Sequence, residues 1–450
     1  MKQLSIPDAR ALLLHLADVK GVQLEVYAQR SSSTAIKAYE GKVADFKLSK
    51  RGGLGLRVLH NGAWGYSYTE NLSEAALERC LEDALENALL VAPEGFATLA
   101  AHPEPPHIGD LYGEGLSGVG VDRKVGVALE LERAARSADP RVVSLPYAAY
   151  SDGETETSVA NSAGLQREFK SNHAMQYAMP LVSENGQNKS AFNWQFTREF
   201  ETLDPTQTSL EAVSRSLALL GATMPQSGTY PAVIENRAMG ELLSSFSPLF
   251  SAKMVQEGKS PLAGKLGETI GSVLVMLRDD ATRPGGFQSQ PFDAEGYPSA
   301  PLTLIEGGVL QGFLHNTETA AKDSVRSTGH ASRYGYQGTV RVSPTNFYLE
   351  PGRSTRDALL HGISAGLLLT AVHGTHAGVN IVTGEFSLQA DGFWIKDGAV
   401  EHALENFTVA GNFLELLCAI QLLGDDLEFN PWSGAGAPSV RVTALAVGGA

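Results

Sequence analysis

Residues Pro231–Gly264 read PAVIENRAMGELLSSFSPLFSAKMVQEGKSPLAG, and the reading of this stretch orders the rest of the chain. Pro231-Ala-Val-Ile234 is a short apolar run of the kind that makes a buried strand. Asn236 is an acceptable helix N-cap, because its side-chain oxygen can accept from an unpaired N–H of the first turn. Met239, Leu242, Leu243 and Phe246 then recur at helical spacing. Ser247-Pro248 ends the pattern, since proline lacks an N–H and clashes with the preceding turn. The stretch predicts strand, turn and helix.

From Tyr230 onward, many short strands separated by glycine turns predict a folded-over sheet or irregular barrel. Toward the N-terminus the pattern differs. A helix from Ile6-Pro7-Asp8 precedes strands at Val22–Arg30, Ser33–Tyr39, Val43–Lys50, Leu54–His60 and Ala63–Tyr68. Their turns are placed at Glu40-Gly41, Arg51-Gly52-Gly53 and Asn61-Gly62, the last a strong hairpin signal. Asn71 with Glu74 resembles a capping box opening a helix to about Leu90. Along it Glu74, Glu78, Glu82 and Glu86 form a solvated acidic face.

A Pro- and Gly-rich segment follows, and then the theme repeats. A helix over Val121–Ala138 precedes strands at Val142–Tyr150, Glu154–Asn161, Leu165–Ser171 and Ala174–Ser183, with a turn at Ser151-Asp-Gly153. A helix at Ser209–Leu220 closes the unit. The fold class is therefore α+β, two N-terminal helix-plus-antiparallel-sheet units followed by a β-rich C-terminal domain. The expected division is an N-terminal α+β domain at 1–92, a linker at 93–120, a central α+β domain at 121–225 and the β-rich domain at 226–450.

The chain has 450 residues, enough for two or three domains with a large core. A formal net charge of −15 argues against a surface for nucleic-acid phosphates, which needs clustered Lys and Arg. No apolar run approaches the roughly 18 residues of a membrane span. The opening Met1-Lys-Gln-Leu lacks the pattern of a signal peptide, so a cytoplasmic location is expected. The two cysteines, Cys80 and Cys418, read as small buried hydrophobes in a reducing compartment.

Together with the opening stretch, a series of segments in one order resembles the TldD/PmbA family, described as zinc metallopeptidases or modulators of DNA gyrase. They include Leu262-Ala-Gly-Lys-Leu-Gly-Glu268, Asp279-Asp280 with Pro284-Gly-Gly286, and Pro291-Phe-Asp-Ala-Glu-Gly296. Leu304–Leu310, Asn346–Gly352, Val379–Ser387, Gly392–Ile395, Thr408–Asn412 and Gly424–Glu428 continue the series over about half the chain. Zinc-binding members carry His-Glu-x-x-x-His on the helix after the first strand, and a Cys in a Gly-rich segment near the C-terminus. This chain has Asn236-Arg237-Ala238-Met239-Gly240-Glu241 at the first place and no Cys over Asn430–Pro438. Asn236 and Glu241 replace the two His, and Arg237 replaces the Glu that activates water. Zinc wants three or four imidazole, thiolate or carboxylate ligands, and arginine can neither ligate nor act as a base. The resemblance thus implies the PmbA/TldE branch, with no catalytic residue, metal or cofactor of its own and zinc expected in a partner subunit.

Other candidate sites are weaker. His373-Gly-Thr-His376 follows an apolar strand, and its spacing can bring two imidazoles together, for a metal or for peptide or partner contact. Asp323–Gln337, DSVRSTGHASRYGYQ, is basic, aromatic and glycine-rich in an acidic chain, the composition of a mobile functional loop. Arg326, His330, Arg333, Tyr334 and Tyr336 are its candidate peptide or partner contacts. Asp279, Asp280, Asp293 and Glu295 lie beside Gly or Pro and read as turn formers. His102 and His107 fall in the Pro-rich linker and read as surface residues.

Three functions follow. The first is a zinc-less PmbA/TldE-like subunit that pairs with a TldD-type zinc protease to cleave unfolded or short peptides, supplying cavity wall and peptide binding. Extended peptide would then add to a sheet edge, and Arg237 and Glu241 would be relics forming an ion pair within the helix. The second is a homodimeric peptide-binding or assembly protein with no protease role. The third is a self-sufficient metal-dependent hydrolase built on His373 and His376.

Overall fold

The computed structural model describes residues 3–93 and 95–450. The N-terminal half is built on very long strands. Strand β1 (Gln23–Tyr39) pairs antiparallel with β2 (Lys42–His60), which pairs with β3 (Ala63–Thr69). On its other edge β1 pairs with β4 (Val142–Asn161), from Glu25↔Asn161 to Ala38↔Ala148. β5 (Gln166–Glu184) follows β4 and carries β6 (Gln187–Ser190) and β7 (Asn193–Thr197). Both helix-plus-sheet units therefore share one seven-stranded sheet among the described residues, in the order β3-β2-β1-β4-β5-β6.

Several expected turns lie inside strands. Arg51-Gly52-Gly53 continues β2 and Ser151-Asp-Gly153 continues β4. These glycines lack positive φ, and β2 is paired with β1 there while β4 is paired with both β1 and β5, so ladder hydrogen bonds outweigh the local turn preference. The expected Asn71 cap also shifts. Ser73 is the N-cap of α2 (Glu74–Leu90), and Asn71 Oδ1 accepts from the Ser73 N–H instead.

Alternation along β1 assigns the two faces of the sheet. Leu24, Val26, Ala28, Ile36 and Ala38 face the helices: α1 (Ile6–Lys20) and α2 cover one end, α3 (Val121–Ala138) and α4 (Pro205–Ala218) the other. Glu25 and Tyr27 point to the opposite face, which the C-terminal domain covers. That domain begins with β8 (Gly228–Ile234), which lies between Ala365–His373 and Val440–Gly448. The ladder runs on through Ala399–Asn412 and Glu385–Lys396, and pairing of the last with Ala365–His373 closes a barrel. A second sheet includes Leu277–Asp280, Phe347–Leu349 and Ala435–Ala437.

Helix α5 (Asn236–Phe246) packs in this core with Ala238, Met239, Leu242, Leu243 and Phe246 buried. Its N-cap is Glu235, and Asn236 is the first helical residue. Among the described residues no helix is long and apolar enough to cross a membrane. Cys80 is buried as expected, whereas Cys418, at the end of the short helix Phe413–Cys418, is exposed.

Candidate functional site

The residues of α5 that carry the degenerate motif each have a partner of their own. Asn236 Nδ2 donates to the Asp426 carbonyl at 2.9 Å, and its Oδ1 accepts from the Arg237 N–H at 2.7 Å. Arg237 Nε donates to Glu428 at 2.8 Å, and Nη2 to Asn193 Oδ1 at 3.0 Å. Its guanidinium lies 3.9 Å from the Trp194 ring centroid. The predicted ion pair within the helix is absent. Arg237 ties the barrel domain to β7 instead, and burial draws its guanidinium below the ordinary value despite Glu428. Glu241 accepts from Thr375 Oγ1 at 3.2 Å.

His373 is exposed and its Nε2 lies 2.8 Å from Asp391 Oδ2. That hydrogen bond raises its pKa above 6.5 against partial burial, with Glu241 adding a smaller push. His376 is exposed. Among the described residues no three His, Cys, Asp or Glu side chains converge as a metal ion would need. Because the folded pKa is raised, the stabilisation from His373 is fully present below the unfolded value of about 6.5 and is lost as pH rises through the folded one. NMR titration should give a His373 midpoint above 6.5, and Asp391→Asn should bring it down.

The basic segment after Asp323 turns inward. His330, Arg333 and Tyr336 are buried, while Arg326 and Tyr334 stay exposed. Tyr336 donates to Glu70 at 2.5 Å, and its backbone passes over Gly55, where a Cβ would come within 2.0 Å of the Tyr336 carbonyl oxygen. His330 Nε2 sits 3.0 Å from Asp279 Oδ1, and its Nδ1 lies 2.8 Å from Thr328 Oγ1. Asp279 also accepts from the Thr345 N–H at 2.7 Å and from the Thr345 hydroxyl. The expected mobile loop is therefore a lining between sheet and barrel domain.

The acidic residues read as turn formers belong to the same lining. Arg57 donates to Glu25 and to Glu295, each at 2.8 Å, and Arg333 donates to the other oxygen of Glu25. All four side chains are buried. Burial would lower the Arg57 pKa, but Glu25 and Glu295 override it and hold the group above its usual value. Asp293 accepts from the N–H groups of Glu295, Tyr297 and Ala331. Burial first, and the Glu295 charge second, push its carboxyl well above the ordinary range. The signal in the sequence was Glu25 and Arg57, charged residues in the middle of apolar strands. Residue parity puts them on the face opposite the helices, and a charge there is buried only if it is paired.

Beside this network is a cavity of about 540 Å³ between sheet and barrel domain. Its floor is formed by alternate residues of three strands, including Tyr27, Thr155, Thr157, Ser171 and His173. Asp293 and Arg333 border it on one side, and Phe196, Phe287 and Trp432 form an aromatic wall on the other. Phe196 and Phe287 meet edge to face at 4.5 Å. A polar cavity floored by extended strands and walled by aromatics suits an extended peptide. Nothing local in the sequence marks this wall, because its members lie about 90 and 145 residues apart along the chain.

Models of three PmbA/TldA metallopeptidase domains match the chain: domain 1 over residues 24–88, the central domain over 114–220 and the C-terminal domain over 227–449. A protein called "Metalloprotease" from Methanothermobacter thermautotrophicus is 30% identical over 98% of both chains. The "Metalloprotease PmbA homolog" of Haemophilus influenzae is 25% identical over 94% of this chain and 91% of its own. A crystal structure from Thermotoga maritima, described as a modulator of a DNA gyrase, matches with a TM-score of 0.91 and 32% identity, covering 99% and 100% of the two chains. TldE from Thermococcus kodakarensis has the same fold at a TM-score of 0.88 and 22% identity, covering 98% and 100%.

The metal that "metalloprotease" implies does not fit the residues of α5. Asn236 has both ends of its amide engaged, Arg237 is a cation, and Glu241 is a single carboxylate held by Thr375.

Proposed function

We propose that this chain, which belongs to the PmbA/TldD metallopeptidase family, serves as the zinc-less, TldE-like subunit of a peptidase complex. Its partner is a TldD-type homologue that carries the zinc, and the substrates are unfolded or short peptides. The observation that carries this reading is Arg237. A guanidinium stands where the family's water-activating carboxylate belongs, and it is locked by Glu428, Asn193 and Trp194. Such a position holds domains together and neither binds metal nor accepts a proton.

The cavity gives the subunit its share of the work. It contributes wall and floor along which an extended peptide is laid before a partner's zinc cuts it. The absence of a long apolar helix among the described residues is compatible with a cytoplasmic complex.

The test is elemental analysis of the chain purified alone, with peptidase assays on unfolded peptides with and without the zinc-bearing homologue. No stoichiometric zinc and no activity alone, with activity in the mixture, is the expected result. One equivalent of zinc with activity in the single chain would overturn the reading.

A further inference from the structure

Arg198 lies on the cavity wall at the end of β7, where burial draws its guanidinium below the ordinary value and the Asp110 charge offsets this only in part. Among the described residues it forms no ion pair. Its Nη2 donates to the Gly286 carbonyl at 3.0 Å, its Nη1 reaches the Gly285 carbonyl at 3.4 Å, and its Nε is buried without a partner. The other arginine lining the cavity, Arg333, is paired with Glu25, and Arg57 beside it with Glu25 and Glu295. A half-buried guanidinium whose hydrogen-bond partners are all neutral carbonyls gains from an anion that meets it directly.

The position of Arg198 is fixed by its surroundings. Its guanidinium stacks 4.8 Å from the Phe287 ring centroid. Its backbone is pinned by Gly113, where a Cβ would lie 1.9 Å from the Arg198 carbonyl oxygen. Gly113 in turn exchanges two hydrogen bonds of 2.8 Å with the Asn172 side chain. With two backbone carbonyls engaged, one N–H remains on each terminal nitrogen to donate to a carboxylate. His173 borders the same corner, stacked on Phe196 at 5.2 Å. Burial, and secondarily the Arg198 charge, lowers its pKa, so at neutral pH it offers a neutral imidazole that does not compete for the anion.

We infer that Arg198 is the receptor for the C-terminal carboxylate of an extended peptide lying in the cavity, with the last side chain against Phe196, Phe287 and Trp432. The inference rests on the peptide-binding reading above and adds which end of the peptide is held. A terminal carboxylate is present on every short peptide whatever its sequence.

The experiment is calorimetry of the full chain with one hexapeptide ending in Phe, prepared as free acid and as C-terminal amide. A third peptide, amidated but with an internal Glu, tests for a side-chain source of the carboxylate. The free acid should bind roughly tenfold or more tighter than the amide, as expected for hydrogen bonds to a charged group. In Arg198→Gln that preference should vanish while amide binding is kept.

Equal binding of acid and amide by the wild type would overturn the inference and leave the peptide reading intact, a comparison that needs no variant to fold. A preference that survives in Arg198→Gln would also overturn it. So would an internal-Glu amide that binds as tightly as the free acid. No binding of any peptide would remove both the inference and the cavity's proposed role.

Discussion

Replacing Arg57 by alanine should lower stability by about 3–5 kcal/mol, among the largest effects of a single substitution in this chain. Glu25 and Glu295 would then face each other's charge in a dry interface, with Arg333 left to hold Glu25 alone. The cost comes mainly from leaving carboxylates buried and uncompensated, which far exceeds the net worth of the intact pairs. Urea denaturation of the wild type and Arg57→Ala checks it, and a loss below about 1 kcal/mol would mean that water reaches the network.

The network should also mark the acid limb. Burial pushes Glu295 up, but Arg57 and the Thr317 N–H outweigh it and hold the carboxyl below 4.5. A depressed carboxylate stabilises above its unfolded value and loses that contribution as pH falls through its folded one. Stability measured downward from about pH 5 should therefore fall less steeply in Arg57→Ala than in the wild type.

The second large effect is expected at Phe246. Its ring is fully buried, stacked on Phe413 at 4.6 Å and 15°, with Phe386 edge-on at 6.2 Å. Phe246→Ala removes the contact that anchors the end of α5 in the barrel and leaves a cavity a rigid barrel cannot close. A loss of about 3–5 kcal/mol is expected, read from the unfolding transition. A loss near 1 kcal/mol would mean that α5 can settle into the space.

The strand, the helix and its buried stripe were legible in Pro231–Phe246 because apolar spacing is a local property and α5 obeys it. The β-rich C-terminal domain and the two helix-plus-sheet units were legible for the same reason. The length of β2 and β4 was not. Gly52-Gly53 and Asp152-Gly153 carry turn chemistry, and it is pairing with neighbouring strands, Gln29-Arg30 for the first and Ser33-Thr34 and His173-Ala174 for the second, that holds them extended. The lining failed to show itself for a related reason. Asp293, Glu295, His330 and Arg333 look like loop residues, and the partners of Glu295 and Arg333 are Arg57 and Glu25, some 240–310 positions earlier. The Asn236-Arg237-Glu241 substitution was visible at once, but the partners of Arg237 were not, because Asn193 lies 44 positions before it and Glu428 191 positions after it.

The floor of the cavity has a metric consequence. Thr155 and Thr157 on one strand, and Ser171, His173 and Met175 on the next, follow one another at two-residue intervals. Along a strand that interval is about 6.6–6.8 Å. An extended peptide presents alternate side chains with the same period, so guest and floor are commensurate. A peptide shifted by two residues meets the same row of neighbours as before, and one shifted by a single residue turns every side chain over. Such a surface measures chain extension and step length while remaining indifferent to which residues make up the steps.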